Sequence, residues 1–476
     1  MNNLQLDSTQ PSAWAPGKTL AAAQLATGLS EPNPRVGSAI SAGHQRSTLH
    51  VGHTHPPGGP HAEIMALRAA EAAGVDVRGA TAWVTLEPCA HHGRTPPCCD
   101  ALIRAGLSRV VVALVDPNPL VAGQGIARMR AAGIEVQVAG AFSGEFAARF
   151  AAEHPEDPQG LAWAREAFEL NIGFFSRMVR GRPWVRMKIA ASLDGQTALA
   201  NGASQWITSA EARADGHAWR RRAGAVLTGI GTVRDDDPRL DVRLVDTQRQ
   251  PMRVVVDSRL EISPTARILQ APGQVLVCCG EDHAGSEKAP ALTRWVEAAP
   301  LYVAPAPSAG SSAAEANAHG AARGVHQHIT APPAGPATTP PSLPPRLEVA
   351  GPWDGVEVLG LPTDERGKTD LHALMTELAK RQVNELHVEA GHQLNGSLLK
   401  AGLVDELLVY LAPKMLGAGR GMAAFGPLER LADGLELEFV ECTPVGPDLR
   451  IRARPPGRAD FYSSIDTLNP PGAAGP

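Results

Sequence analysis

Apolar residues fall in short blocks separated by polar, glycine- or proline-marked stretches. Compact apolar blocks bounded by turn residues predict buried strands, and longer segments closed by glycine predict helices. On that basis residues 1–15 form a loose tail, and 20–29 an alanine-rich helix. A strand lies within 31–40. A helix over 61–73 closes at Gly74, a strand occupies 79–86, and a helix over 97–105 ends at Gly106. "SRVVVALVDPNP" at 108–119 is an apolar strand stopped by prolines, and 125–140 runs from helix to strand. This alternation predicts an α/β sandwich over roughly the first 150 residues.

The pattern breaks at "EHPEDPQG" (153–160) and restarts after "RGRP" (180–183). Strands are predicted at 184–198, 223–230, 252–258, 274–279, 385–391 and 406–413, with helices between several of them and one starting near Leu394. Residues 301–350 differ: proline and alanine dominate, a composition that buries too little to offset ordering, so they read as a disordered surface insertion. There is no internal repeat. No apolar run approaches a membrane span, and the N-terminus lacks the apolar core of a signal peptide.

Length adds that 476 residues exceed one ordinary core, so two or three domains are expected. The chain is 43% hydrophobic and 20% charged, as in globular proteins. A net charge of −5 argues against a dedicated nucleic-acid binder, which carries a basic stripe. Six cysteines do not make a disulfide framework, and Cys89, Cys98 and Cys99 cluster beside histidines, which points to metal or catalysis.

That cluster carries the first candidate chemistry. In "GGPHAEIMAL" (58–67), His61 and Glu63 can cooperate only at a helix start, because positions two apart on a helix face different ways. In "TLEPCAHHGRTPPCC" (85–99), Cys89 and Cys98 each follow a proline, a residue suited to a first helical turn. Both cysteines are therefore expected at helix N-termini, where the thiol is acidified. One imidazole and two thiolates make a three-ligand zinc site with an open position, and Glu63 is left over to move a proton. Cys99 competes with Cys98 as the second thiolate. His91 and His92 read as surface-loop residues, and Cys278–Cys279 as core.

The His-x-Glu and Pro-Cys pattern resembles the zinc-dependent nucleobase deaminases, although eight residues stand between the two cysteines where that pattern has two. With "PNPRVG", "PHAE" and "EPCAHHGRTPPCCDALIRAGLSRVVVALVDPNPLVAGQGI", most of 20–140 resembles the deaminase half of the bifunctional riboflavin-biosynthesis deaminase–reductases. The resemblance implies a cytidine-deaminase-like three-layer α/β/α domain over 16–150. It also implies zinc on His61, Cys89 and Cys98 in preference to Cys99, Glu63 as proton carrier, and Asn33 against the pyrimidine. Arg94 is added as a phosphate contact from its charge.

Further along, "MKIAASLDGQTALANGASQWIT", "LTGIGTVRDDDPRLDVR" and "HVEAGHQLNGSLLKAGLVDELLVYLAPKMLG" resemble the reductase half of the same family. This implies a dihydrofolate-reductase-like α/β domain over 182–455 that binds NADPH at Ala190, Trp206, Thr232, Asp236, Ser258 and Gly391, His392, Gln393, Leu394, Asn395, Gly396 and Ser397. It implies substrate contacts at Ser204, Arg220, Leu240, Arg243 and Glu389, with Lys188 as a further candidate. Arg220 and Arg243 suit a ribose phosphate. His392 stands where a smaller residue or proline is expected. The 301–350 insertion is expected to be dispensable.

The expected function is deamination of a diaminopyrimidinone carrying a phosphoribosylamino group, followed by NADPH-dependent reduction of the ribosyl to a ribityl chain. The expected setting is a cytoplasmic homo-oligomer acting on a small molecule, without nucleic acid or membrane. The competing reading is a zinc-dependent RNA deaminase with an accessory domain. The net charge of −5 and 4% aromatic content weigh against it.

Overall fold

The structure is a computed structural model that describes residues 11–41, 48–91, 96–118, 121–139, 158–290, 292 and 355–461. The expected insertion at 301–350 lies outside them.

Strands β1 (Gly37–Ser41), β2 (Leu49–His53), β3 (Thr81–Val84), β4 (Arg109–Val112) and β5 (Glu135–Val138) form one sheet in the order β2-β1-β3-β4-β5. The β1–β2 and β1–β3 pairings are antiparallel, and β3–β4 and β4–β5 parallel. Strands β3 and β4 are short and buried in all but their first residue, as expected where helices cover both faces. Helices Pro11–Leu25, Ala62–Ala72, Cys98–Arg104 and Gln124–Ala131 supply that cover.

The second sheet has nine strands: β6 (Trp184–Ser192), β8 (Ala225–Gly229), β9 (Met252–Val256), β10 (Val275–Gly280), β11 (Val356–Leu361), β12 (Glu385–Val388), β13 (Glu406–Ala412), β15 (Glu438–Val445) and β16 (Asp448–Arg454). Its order is β11-β10-β9-β8-β12-β6-β13-β16-β15. Every pairing is parallel except β13–β16 and β16–β15. Strands β7 (Gln196–Leu199) and β14 (Gly419–Gly421) pair separately.

Several expectations change. The first helix begins at Pro11 and ends at Leu25, so the expected tail is partly helical; it buries Ala15, Leu20 and Ala23. The predicted strand over 184–198 turns at Asp194–Gly195 into β6 and β7. The helix placed near Leu394 starts at His392 behind Gly391. Helix Pro158–Arg180 was not predicted; its apolar face (Trp163, Ala167, Phe168, Ile172 and Phe175) is buried in the first core. It links the two units, and a Cβ on its Gly173 would lie 2.4 Å from the Glu385 side chain.

One face of the second sheet is charged and yet buried. Arg186 on β6, Glu385 and His387 on β12, and Glu406 on β13 are each no more than 1% exposed. Trp219, Arg220 and Arg222 of helix Ala210–Arg222 take part from above it. Glu385 meets Arg35 of the first unit at 2.6 Å, Arg186 at 2.6 Å and Arg222 at 2.8 Å. Glu406 meets Arg186, Arg452 and Arg454. Burial alone would raise these two carboxyls, but Arg222, Arg35 and Arg186 around Glu385, and Arg186, Arg452 and Arg454 around Glu406, hold both well below the usual range.

This layer makes stability pH-dependent in one direction. Folded Glu385 and Glu406 stay ionised, whereas in the unfolded chain they titrate near the ordinary 4.5. Their stabilisation is therefore complete above that value and is lost as pH falls below it, because the unfolded state then binds more protons. Urea midpoints should decline as pH falls and drop most steeply below about pH 4.5. A midpoint insensitive to acid over that range would show the layer contributes nothing.

Candidate active sites

His61 is the N-cap of helix Ala62–Ala72, with extended backbone (φ −79°, ψ 169°) and no side-chain cap, so its ring is free to turn inward. Glu63 lies in the first turn and is 3% exposed. Cys98 opens helix Cys98–Arg104 behind Pro97. Cys89 does not start a helix, contrary to the expectation from Pro88: residues 87–90 are irregular loop. Glu87 holds that loop by accepting from the backbone N–H groups of Asp116, Gly123 and Ile126 at 3.2, 2.9 and 3.1 Å.

The ligand atoms of His61, Cys89 and Cys98 all lie within 4.8 Å of one another. His61 Nδ1 is 3.6 Å from Cys89 Sγ and 3.3 Å from Cys98 Sγ. Tetrahedral zinc with ordinary Zn–S and Zn–N bonds needs an S···N edge of about 3.5 Å, so the donor set fits in kind and in size. Hydrogen bonding from the Cys98 thiol, aided by His61 and the Cys98 N–H, holds the Cys89 thiol down at about 4. Burial and the Cys89 charge push Glu63 up to about 7, and its carboxyl meets the Cys98 thiol. Cys99 is buried beside Asp100, outside the cluster, with its thiol pushed up to about 11 by burial. His91 is exposed. Asn33 is half-buried between two prolines, and Arg94 lies outside the described residues.

The second candidate site is an open cleft of about 2170 Å³ at the carboxyl ends of β6, β8, β9 and β12. A space this size exceeds a drug-sized pocket and has room for a dinucleotide together with a sugar phosphate. Ala190, Trp206, Thr232, Asp236, Ser258, Gly391, His392, Gln393, Leu394, Asn395 and Ser397 line it, as do Lys188, Ser204, Arg220, Leu240, Arg243 and Glu389. Gly396 is not among the lining residues. A Cβ there would lie 2.3 Å from the Ala424 carbonyl oxygen, so this glycine permits close packing of the cleft wall. His392 is the first residue of helix His392–Lys400 and is half-exposed, which is how the turn accommodates a large side chain. The amides of that helix start are available to an anionic group.

Inside the cleft Arg220 Nε donates to Glu389 Oε1 at 2.7 Å, and Arg220 Nη1 to the Asp241 carbonyl at 2.5 Å. Lys188 Nζ stands 3.8 Å from Glu389 Oε2. Burial would raise Glu389, but Arg220 and Lys188 hold it well below the usual carboxyl range. Arg220 is thus buried and largely committed to Glu389 and Asp241, whereas the side chain of Arg243 is 46% exposed with one donor on Asp241. Ser204 Oγ donates to Asp236 at 3.3 Å, and Ser258 Oγ accepts from Thr369. Two residues escaped the sequence reading. Asp241 organises Arg220, Arg239 and Arg243, and its only signal was the alternation "RLDVR". His387 sits beneath Glu389 with Nε2 3.5 Å from its carboxylate, and burial pulls it down to about 3.

Known proteins resemble both halves of the chain. The family model described as the cytidine and deoxycytidylate deaminase zinc-binding region matches residues 13–114. The model described as the RibD C-terminal domain matches 183–304 and 338–451. Riboflavin biosynthesis protein RibD of Escherichia coli (strain K12) is 38% identical over 445 residues, 91% of this chain and 96% of that protein. RibD of Aquifex aeolicus is 33% identical over 91% of this chain and 95% of its own. Among solved structures, Acinetobacter baumannii RibD (form 1) is similar with a TM-score of 0.68 and 32% identity, covering 94% of this chain and 99% of that one.

Gly125 links the loop geometry to the metal cluster. A Cβ there would lie 2.0 Å from the Pro88 carbonyl oxygen and 3.3 Å from Glu87 Oε1. Gly125→Ala should displace the Cys89 loop, lowering zinc affinity by about tenfold or more and deamination with it, while the reductase half keeps its turnover. Metal analysis of the purified variant beside the two half-reaction assays checks this. Full zinc content with full deamination would show that the loop yields without consequence.

Proposed function

We propose residue roles for a chain that belongs to the RibD family, and is therefore a bifunctional deaminase–reductase of riboflavin biosynthesis that uses zinc in one half and NADPH in the other. The observation that carries the reading is the convergence of His61, Cys89 and Cys98 on one point with Glu63 buried beside them.

His61, Cys89 and Cys98 hold the zinc ion, which supplies Lewis acidity and makes water nucleophilic near neutral pH. Glu63 is the proton carrier. A carboxyl that titrates near the working pH can take one proton of the attacking water onto Oε and pass it to the ring nitrogen, then take the remaining hydroxyl proton and pass it to the departing amine as the carbonyl forms. Burial sets that value and excludes competing water. Asn33 contacts the pyrimidine, and Arg94 the phosphate.

In the reductase half, the cleft residues from Ala190 to Ser397 named above hold NADPH, which supplies the hydride. Glu389, fixed as an anion by Arg220 and Lys188, receives donor groups of the substrate. Arg243 retains exposure enough to meet the ribose phosphate, and Ser204 and Leu240 complete the substrate wall. Domain limits of 16–150 and 182–455 belong to the same proposal.

The substrate is a small molecule. No helix among the described residues is long and apolar enough to cross a membrane, and all six cysteines are free thiols. A cytoplasmic location and independence of nucleic acid are parts of the reading, supported by those thiols and by the net charge of −5. So is assembly with a second copy of this chain, supported by Phe439 and Val440 exposed on β15, at the sheet edge, and by exposed Leu437 just before it.

Product analysis tests the function. With substrate and NADPH the purified chain should yield the deaminated ribityl compound; without NADPH it should stop at the deaminated ribosyl compound. Glu63→Gln should keep its zinc and lose deamination by on the order of a hundredfold or more. Turnover of RNA-borne cytidine or adenosine in place of the free phosphorylated pyrimidine would overturn the assignment.

A further inference from the structure

The segment Glu31-Pro32-Asn33-Pro34-Arg35 leads into β1 of the deaminase unit, yet much of what holds it comes from elsewhere in the chain. Asn384, which precedes β12, donates its backbone N–H to Glu31 Oε1 at 3.0 Å and its Nδ2 to the Pro32 carbonyl at 2.9 Å. Arg35 Nη1 pairs with Glu385 at 2.6 Å, and Arg35 Nη2 donates to the Arg222 carbonyl at 2.7 Å. Asn171 of the linking helix accepts from the Arg35 N–H at 2.7 Å and donates to the Arg35 carbonyl at 2.9 Å. The local contacts are the turn from Ser30 to Asn33 and a 3.9 Å pair between Arg35 and Glu31. A Cβ on Gly224 would lie 2.7 Å from Glu31 Oε1, so the approach is too close for an added side chain to fit without a shift.

The two prolines narrow the backbone freedom of this segment, and Pro34 also restricts Asn33 before it. What remains is the placement of the segment as a body, and the Asn384 and Glu385 contacts supply it. Val36, next in the chain, donates to Thr54 Oγ1 at 3.1 Å, and Thr54 opens the loop that ends at His61.

We infer that Asn384 and Glu385 of the reductase half are positioning residues for the deaminase reaction: they set where Asn33 stands, so the pyrimidine site of one half is completed by the other. This rests on the reading that Asn33 contacts the pyrimidine. The two residues touch neither zinc nor substrate. Their effect acts through the Pro32 carbonyl and the Arg35 guanidinium, and belongs in substrate affinity rather than in metal binding.

The test is Asn384→Ala in the full-length, zinc-loaded protein, with Asn384→Ser as a milder variant that keeps the chain folded if alanine does not. Deaminase KM should rise on the order of tenfold, as expected for loss of a hydrogen bond that fixes a binding group, with kcat within about twofold. Zinc content should remain one per chain. Reductase kcat/KM, assayed separately on the deaminated substrate with NADPH, should stay within about twofold. Unchanged deaminase KM would overturn the inference, as would a parallel loss of both activities, which is what general loosening gives. Asn33→Ala measured alongside separates the two claims. If it leaves deamination intact, the role given to Asn33 falls and this inference with it. If it raises KM while both Asn384 variants are silent, only this inference falls.

Discussion

The structure turns on one carboxylate, Glu385, buried at the seam of the two halves and met by three guanidiniums, those of Arg35, Arg186 and Arg222. Taking such groups out of water is costly, and their mutual attraction offsets this only when geometry and hydrogen bonding are nearly complete. Removing one partner leaves an uncompensated buried charge, commonly at about 3–5 kcal/mol. The arrangement therefore acts as a register pin. Strand β12, helix Ala210–Arg222 and the segment before β1 each contribute one member, and each must be in place for the others to be satisfied. The same strand runs on to Glu389, and the same helix carries Arg220, so the ion pair in the reductase cleft shares its supports with the seam.

Burial pushes the same way on the two carboxyls assigned to chemistry, and their neighbours decide the outcome. Desolvation and the Cys89 charge push Glu63 up to about 7, outweighing the pull of His61. Glu389 is also largely buried, but Arg220 and Lys188 hold it down as a permanent anion. A proton carrier and a fixed electrostatic anchor thus arise from the same residue type by choice of neighbours, which is the means by which one chain runs a hydrolysis and a reduction at one pH.

Legibility in the sequence followed the range of the interactions. The candidate metal cluster could be read because histidine, glutamate and two cysteines sit within short reach along the chain, and the structure brings His61, Cys89 and Cys98 together. The strands could be read because parallel strands buried on both faces are continuous apolar runs, as in β10. The Pro-Cys reading failed at Cys89: proline tolerates a loop as readily as a first helical turn, and the loop is fixed by Glu87 contacts that span up to 39 positions. Helix Pro158–Arg180 was passed over because its polar, proline-bearing approach resembled a linker. The charged face of the second sheet was the least legible feature. Arg186 and Lys188 alternate with apolar residues along β6, a pattern that normally marks a solvated face. Their partners Glu385, Glu389 and Glu406 lie about two hundred positions away.

The seam also leaves little slack. Contacts between domains of one chain are usually polar and permit relative motion unless the interface is large and apolar. This one is polar, yet glycines mark where its surfaces meet most closely. A Cβ on Gly173 would lie 2.4 Å from Glu385, one on Gly224 2.7 Å from Glu31, and one on Gly28 2.6 Å from Arg221. Trp184, fully buried at the start of β6, belongs to the core of the first unit, so even the hydrophobic division between the units is crossed. Interlocked charges with no spare volume resist sliding, because any shift must break several buried pairs together. The bond between the halves is therefore a shared interior more than a tether, and the segment before β1 that rests on it inherits its rigidity.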